Sequence, residues 1–315
     1  QNVRQEYCWG QFQRDIIVEA YPDLIDKCHV VGNPRFDLLK PKFKNIYAED
    51  VKVLNEKYGD FVLFNTRFSK YNTAKGMKDN IHFKEIKKLY YSFLEMIKVT
   101  CGKFPNTNFI VRPHPGENFS SYSKALADYS NVQVIHEGNI VKWLLAAHTV
   151  IHNGCTSGIE ALLLGKPVIT YVPKPSEKGE YSLPNQLGYI TNTIESIHNV
   201  LNVLLSKSNN TAYSFNSNQI DDNENILLSY YDWSTESFSY ESILSLCNQI
   251  ELPIITRKKT TLTNIIPKQT KKKKRHFTLT EPEIRHFFHK LDEIEGNNSG
   301  LHINKIGTNL YQIHL

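Results

Sequence analysis

Five short, largely apolar runs separated by stretches of helical periodicity constrain this chain more than any other feature. Phe61–Asn65 (FVLFN), Asn108–Arg112 (NFIVR), Val132–Ile135, Thr149–His152 and Pro167–Val172 (PVITYV) are each too short for a typical helix. Most are too continuously apolar for a strand with one face in water. Between them, Asn80–Val99 sets Ile86, Leu89, Phe93 and Ile97 on one side and lysines on the other. Tyr122–Tyr129, Ile140–Ala147 and Ser157–Leu164 read as shorter helices. Strands buried on both faces and alternating with helices predict a parallel sheet covered on both sides, a doubly wound α/β domain over about residues 58–205.

The flanks are less regular. Glu6–Tyr21 has helix-like spacing at Phe12, Ile16, Ile17 and Ala20 and stops at Pro22. A short run, Cys28–Val31, leads into a turn at Gly32-Asn33-Pro34, and Asp50–Tyr58 reads as a helix closed by Gly59. Ser206–Asn225 is rich in Ser and Asn and reads as loop, and Ile226–Leu246 as an interrupted helix. Thr280-Glu281-Pro282-Glu283 is a helix start, with Thr280 as N-cap and the helix continuing to about His289. Gly300–Leu315 reads as a small hairpin. These boundaries divide the chain into 1–57, an α/β domain at 58–250, a linker at 251–275 and a small α+β extension at 276–315.

Charge is distributed unevenly. The chain has 37 Lys and Arg against 32 Asp and Glu, a formal net charge of +5. Nine of those cations lie between Arg257 and Arg275 with no carboxylate among them, so 28 cations face 32 carboxylates elsewhere. The protein is a mildly acidic body with one basic strap. That excludes a nucleic-acid-binding face of the whole-surface kind, and no aromatic residue within the strap offers stacking to bases. The strap reads as an extended linker or as a segment attracted to an anionic membrane surface. Five scattered cysteines (Cys8, Cys28, Cys101, Cys155 and Cys247) without CxxC spacing predict neither a disulfide framework nor a zinc site, and fit a reducing, cytoplasmic setting. Neither a metal nor a cofactor is expected.

In an open parallel sheet, ligands sit beyond the carboxyl ends of the strands. The residues immediately after each strand therefore locate the chemistry. Thr66, Arg67, Ser69 and Lys70 come after the first, Pro113-His114-Pro115-Gly116-Glu117 after the second, and His136 and Glu137 after the third. The fourth leads into Asn153-Gly154-Cys155-Thr156-Ser157-Gly158-Ile159-Glu160. Gly154 and Gly158 allow close backbone approach, and Thr156 and Ser157 stand at a helix start where hydroxyls and free N–H groups suit a phosphate. The alternative is an ordinary capped helix after a strand, because neither GxGxxG nor a Walker sequence is present. His114, stiffened between two prolines, is a candidate donor to a phosphate or base, or a proton-transfer group. Arg67 and Arg112 are candidate anion ligands. Glu117 and Asp37 are the acidic candidates for catalysis. Cys155 lacks a nucleophile's partner in sequence and reads as a small packing residue.

Three ordered segments also carry a family resemblance. Val31-Gly32-Asn33-Pro34-Arg35-Phe36-Asp37, Val111-Arg112-Pro113-His114-Pro115-Gly116-Glu117, and His152 to Ala161 continuing through Gly165-Lys166-Pro167 resemble bacterial surface carbohydrate biosynthesis proteins of the GT-B glycosyltransferase fold. The arrangement is also similar to non-hydrolysing UDP-N-acetylglucosamine 2-epimerases and CDP-glycerol glycerophosphotransferases. The resemblance covers about residues 5–205. It implies two Rossmann-like domains facing across a cleft, the C-terminal one holding a nucleotide-sugar donor. By that comparison the chain begins near the end of the N-terminal domain, whose acceptor-binding part is largely missing. It further implies that His114 contacts the nucleotide, that Thr156 and Ser157 with Gly158 hold the donor phosphate, and that Glu160 holds the ribose. A cytidine-linked donor such as CMP-Kdo, a saccharide or lipid-linked acceptor and a cytoplasmic place, peripheral to the inner membrane, are further expectations. A nucleotide-sugar 2-epimerase and a non-catalytic scaffold are the alternatives.

Overall fold

The computed structural model describes residues 3–77, 83–174, 183–206, 225–251, 280–307 and 310–314. Two compact units divide the chain: residues 47–225, and a second formed by 1–46 together with 226–315. The basic strap at 257–275, residues 80–82 of the expected long helix, and most of the expected loop at 206–225 lie outside the described residues.

The second unit opens with strand β1 (Glu6–Cys8), helix α1 (Gln11–Ala20) and strand β2 (Cys28–Val30). β1 and β2 pair in parallel, with Glu6 opposite Cys28. The helix expected from Glu6 starts later because Glu6–Cys8 is extended and Gly10, also extended at φ −162°, precedes the first helical residue. A small core of Cys8, Leu24 and Cys28 closes beneath α1. Two single-turn helices come next, α2 (Pro34–Asp37) and α3 (Pro41–Lys44), each with proline in its first turn.

The 47–225 unit begins with α4 (Ala48–Tyr58), ended by Gly59 at φ +65°. β3 (Phe61–Asn65) comes next, then the two-residue strands β4 (Asn72–Thr73) and β5 (Gly76–Met77), and α5 (Lys84–Lys103). It continues through β6 (Asn108–Arg112), α6 (Phe119–Ala125), β7 (Val132–Val134), α7 (Ile140–Ala146), β8 (Thr149–His152), α8 (Thr156–Leu163), β9 (Val168–Tyr171), β10 (Tyr189–Thr191) and α9 (Ile194–Ser206). Six strands form one parallel sheet in the order β10-β9-β8-β3-β6-β7. The doubly wound α/β expectation is therefore what the chain adopts. β3 shows why its strand sequence is continuously apolar. Val62 and Phe64 join the core formed with Phe93 and Ile97 of α5, while Phe61 on the other face meets Trp143 of α7, with ring centroids 6.1 Å apart. Every β3 residue is buried. α6 begins three residues before the expected Tyr122, because the Asn118 side chain accepts from the Ser120 N–H and caps it there. β10 was not anticipated: Tyr189–Thr191 is short and sits at the sheet edge.

From residue 226 the chain completes the 1–46 unit with the rest of a short helix α10 (225–230), α11 (Ser239–Asn248), α12 (Glu281–Glu295) and the antiparallel hairpin β11 (His302–Gly307) and β12 (Leu310–His314). Residues 226–250, expected with the α/β domain, cluster instead with 1–46, for identifiable reasons. The Asp37 carboxylate accepts from the Ser239 and Tyr240 N–H groups and so caps α11. Phe43 meets Phe238 edge-on at 5.7 Å, and Phe36 lies 4.8 Å from Tyr231. α12 starts with the capping box expected at Thr280 and Glu283, and runs past His289 to Gly296 at φ +65°. Lys42–Glu295 and the Lys290 bond to the Ile46 carbonyl hold α12 to the α3 region.

Candidate functional site

In chain order the six strands run outward through β3, β6 and β7, and then return to the other side of β3 through β8, β9 and β10. The order reverses between β3 and β8. In doubly wound folds ligands bind outside the carboxyl ends of the strands at such a reversal. Here those ends carry Asn65-Thr66-Arg67 and His152-Asn153-Gly154, and the two loops are tied together. Arg67 Nε donates to the Asn153 carbonyl at 2.9 Å, and Asn65 Nδ2 donates to Ser157 Oγ at 3.0 Å.

Gly154 explains how Arg67 comes so close. It sits in left-handed backbone at φ +56°, and a Cβ there would lie 2.5 Å from an Arg67 terminal nitrogen. Only a glycine satisfies both demands. Arg67 is half-buried, and its two terminal nitrogens have no partner among the described residues. The result is a cation fixed in place, with no ion-pair partner among the described residues, over the loop that leads into α8.

The start of α8 is held from below by His152. Its ring is 1% exposed, accepts from the Cys155 N–H at Nδ1, and so carries its proton on Nε2, facing the Thr170 hydroxyl at 3.2 Å. Thr170 Oγ1 passes the chain on by donating to the Leu187 carbonyl at 2.6 Å. Burial, with the Arg67 charge adding to it, pushes His152 down to about 3 from 6.5. A base with a depressed folded-state value leaves the unfolded chain binding more protons below its ordinary value. Stability is therefore intact above about pH 6.5 and is lost as pH falls toward 3. We expect His152 alone to cost about 2 kcal/mol between pH 7 and pH 5. Urea midpoints across that range read the slope, and a His152 Cε1–H resonance titrating near pH 6 would refute it.

The sequence-derived site residues separate into three groups. Arg67, His114 and Thr156 offer groups to solvent. His114 is exposed, accepts from the Gly116 N–H at Nδ1 at 3.1 Å, and thus presents Nε2 outward as a donor. Thr156 is exposed at the first helical position, and neither its hydroxyl nor its N–H has a partner among the described residues. Arg112, Ser157 and Glu160 turn inward, at 6%, 6% and 3% exposure. Arg112 donates to the Glu137 and Gly138 carbonyls at 2.8 and 2.7 Å and lies over Trp143; burial lowers it to about 10. Ser157 Oγ donates to Cys155 Sγ while accepting from Asn65, so its hydroxyl supports the helix start from inside. Gly158 lies against the His152 ring.

The two acidic candidates form the third group. Glu117 is 2% exposed and accepts from Thr66 Oγ1 at 2.7 Å, Tyr122 OH at 2.6 Å and the His114 N–H at 3.2 Å. Asp37, in the other compact unit and also 2% exposed, is ion-paired with Lys40 at 2.7 Å besides capping α11. Both carboxylates are fully occupied by protein donors. Sequence reasoning gave no role to His152 or Asn153, although both lie in the segments it singled out, and it missed Thr170. Asn153 Nδ2 donates to the Tyr171 carbonyl, and its Oδ1 is a buried acceptor without a partner among the described residues. Among the described residues no group of three or more His, Cys, Asp or Glu side chains is placed to hold a metal, and no helix is long and apolar enough to cross a membrane. All five cysteines are free.

No protein-family model and no curated protein matches the chain. Among solved structures it is similar to the UDP-GlcNAc 2-epimerase of Methanocaldococcus jannaschii in complex with UDP-GlcNAc and UDP, at 15% identity and TM-score 0.49, covering 78% of this chain and 61% of that one. It is also similar to S. aureus MnaA with UDP, at 13% identity and TM-score 0.49, covering 79% and 61%. The wall teichoic acid polymerase TagF, solved as a variant, is similar at 11% identity and TM-score 0.43, covering 78% and 58%. The chain thus spans about three fifths of the length of these structures.

Proposed function

We propose that this chain is the donor-binding half of a GT-B glycosyltransferase that uses a nucleotide-activated sugar in bacterial surface polysaccharide biosynthesis. One observation carries the reading: an Arg67 guanidinium whose terminal nitrogens have no partner among the described residues is held at the strand-order reversal, beside the open helix start at Thr156. A fixed cation and helix-start N–H groups together suit a phosphate or diphosphate. They also suit the chemistry, because charge developing on a departing nucleotide phosphate meets dipoles already oriented for it. His114 Nε2–H offers a second donor for the nucleotide. The ordered motifs at 31–37, 111–117 and 152–167 support a transferase working on surface polysaccharide, with a saccharide or lipid-linked acceptor and a donor that includes cytidine-linked ulosonic acids among its options. The nine cations at 257–275 suit an anionic membrane surface beside such an acceptor.

Titration with CMP, CDP and UDP, followed calorimetrically, tests the site. At least one nucleotide is expected to bind, and His114→Ala to weaken it about tenfold, equivalent to about 1.4 kcal/mol. No binding by any of the three, or affinity indifferent to both His114→Ala and Arg67→Ala, overturns the assignment. Incubation with UDP-N-acetylglucosamine and detection of C2 proton exchange would instead establish the epimerase reading.

A further inference from the structure

Glu117, one of the two carboxylates that sequence reasoning nominated for catalysis, has a different geometry from that of a working acid or base. Glu117 is almost wholly shielded from solvent. Its Oε1 receives the Thr66 hydroxyl and the His114 N–H, and Oε2 receives the Tyr122 hydroxyl. The Glu117 N–H in turn donates to the His114 carbonyl at 2.8 Å. His114-Pro115-Gly116-Glu117 is therefore a β-turn bonded to itself twice, once through the main chain and once through the carboxylate. A third bond, Gly116 N–H to His114 Nδ1, fixes the ring within the turn. The turn is further laced to the 72–77 hairpin through Ala74 N–H to the Gly116 carbonyl and Asn118 N–H to the Asn72 carbonyl.

We propose that Glu117 is a positioning residue: its buried carboxylate locks the 114–117 turn to the β3 loop and α6, so that His114 is presented with Nε2–H pointing outward. This rests on the nucleotide-sugar reading and deepens it by assigning how His114 meets its ligand, as a hydrogen-bond donor to an acceptor oxygen of the nucleotide. Holding the donor in one tautomer before the ligand arrives removes the cost of selecting it on binding. Burial raises the Glu117 carboxyl, and the donors around it oppose that rise. Its job here depends on acceptor oxygens at the right places, not on releasing or taking a proton.

The isostere separates the two roles. In Glu117→Gln the amide oxygen keeps Thr66 and the His114 N–H, and the Tyr122 hydroxyl rotates to accept from the amide nitrogen. Glu117→Asp and Glu117→Ala leave the His114 N–H unreached. The experiment records long-range 1H–15N correlations of the histidine rings in the full chain, with the His114 signals identified by their loss in His114→Asn. Without any ligand, wild type and Glu117→Gln are expected to show the Nε2–H tautomer, and Glu117→Asp and Glu117→Ala a mixture. Titrated with UDP and CDP, Glu117→Gln is expected to stay within about threefold of wild type and the other two to weaken by about tenfold or more. If Glu117→Ala does not fold, Glu117→Asp carries the comparison. A merely structural role would lower the melting temperature without moving the tautomer. An unchanged tautomer in Glu117→Asp, or Glu117→Gln binding as poorly as Glu117→Asp, overturns the proposal. The tautomer measurement needs no nucleotide, so failure of nucleotide binding and failure of this positioning role are read separately.

Discussion

Gly158→Ala is expected to destabilise the 47–225 unit by about 3 kcal/mol and to abolish nucleotide binding with it. An added Cβ would stand 2.1 Å from His152 Nε2 and 2.6 Å from two ring carbons. Helix propensity favours Ala over Gly by about 1 kcal/mol, so the sign depends on whether the ring can retreat. It cannot do so at low cost. His152 is 1% exposed and is bonded at both nitrogens, to the Cys155 N–H and the Thr170 hydroxyl. Displacing it would break both bonds and leave buried polar groups unpaired, at about 1–3 kcal/mol each. Steric overlap therefore outweighs propensity. Gly165→Ala is the control: Gly165 has φ +75° and nothing within 4 Å of an added Cβ, so backbone strain alone should cost about 1 kcal/mol. Chemical denaturation of the two variants beside wild type measures the difference. Equal stabilities would mean that His152 does not lie beneath α8.

Arg67→Ala should weaken the best-binding nucleotide of UDP, CDP and CMP by about fifty-fold, or about 2.3 kcal/mol, within the range for a charge-assisted hydrogen bond. Stability should change little by comparison. Arg67 is half-buried and holds one carbonyl, that of Asn153, through Nε. In the proposed function its terminal nitrogens are the part that meets the nucleotide phosphate. Arg67→Lys is expected to recover only part of the loss, since an ammonium keeps the charge but not the fork that pairs with two phosphate oxygens. Calorimetry at two salt concentrations checks this, because a phosphate contact weakens as salt rises. Affinity within twofold of wild type in Arg67→Ala would remove the guanidinium from the site and with it the main support for the proposed function.

How much of this was legible beforehand depended on how local each cause was. The capping box at Thr280 and Glu283 spans four residues and was readable from them alone. The start of α6 was missed although its cap is also local, because Asn118 comes directly after a turn and the apolar spacing suggested Tyr122. The division of the chain was less accessible. Asp37 caps a helix that begins about 200 residues later, and an aspartate in a short segment gives no sign of such a partner. Ser157 shows the same limit at the site. Its place at a helix start suggested a hydroxyl facing a ligand, but Asn65, 92 residues away, draws it inward.

The doubly wound sheet and the location of the candidate site were decided by short-range patterning. Strands covered on both faces must be apolar throughout, helices over them must be amphipathic, and the carboxyl ends of such strands are where chain and helix termini leave free polar groups. Which of those polar groups face outward was decided only by tertiary structure. Arg67 and Arg112 both follow or end a strand and look alike in sequence. One keeps terminal donors with no partner among the described residues, close to Gly154, and the other, lying over Trp143, is consumed by two carbonyls. The difference is physical: a buried cation must find acceptors wherever the neighbouring loops supply them, and the strand order that brings those loops together is not written in any one of them.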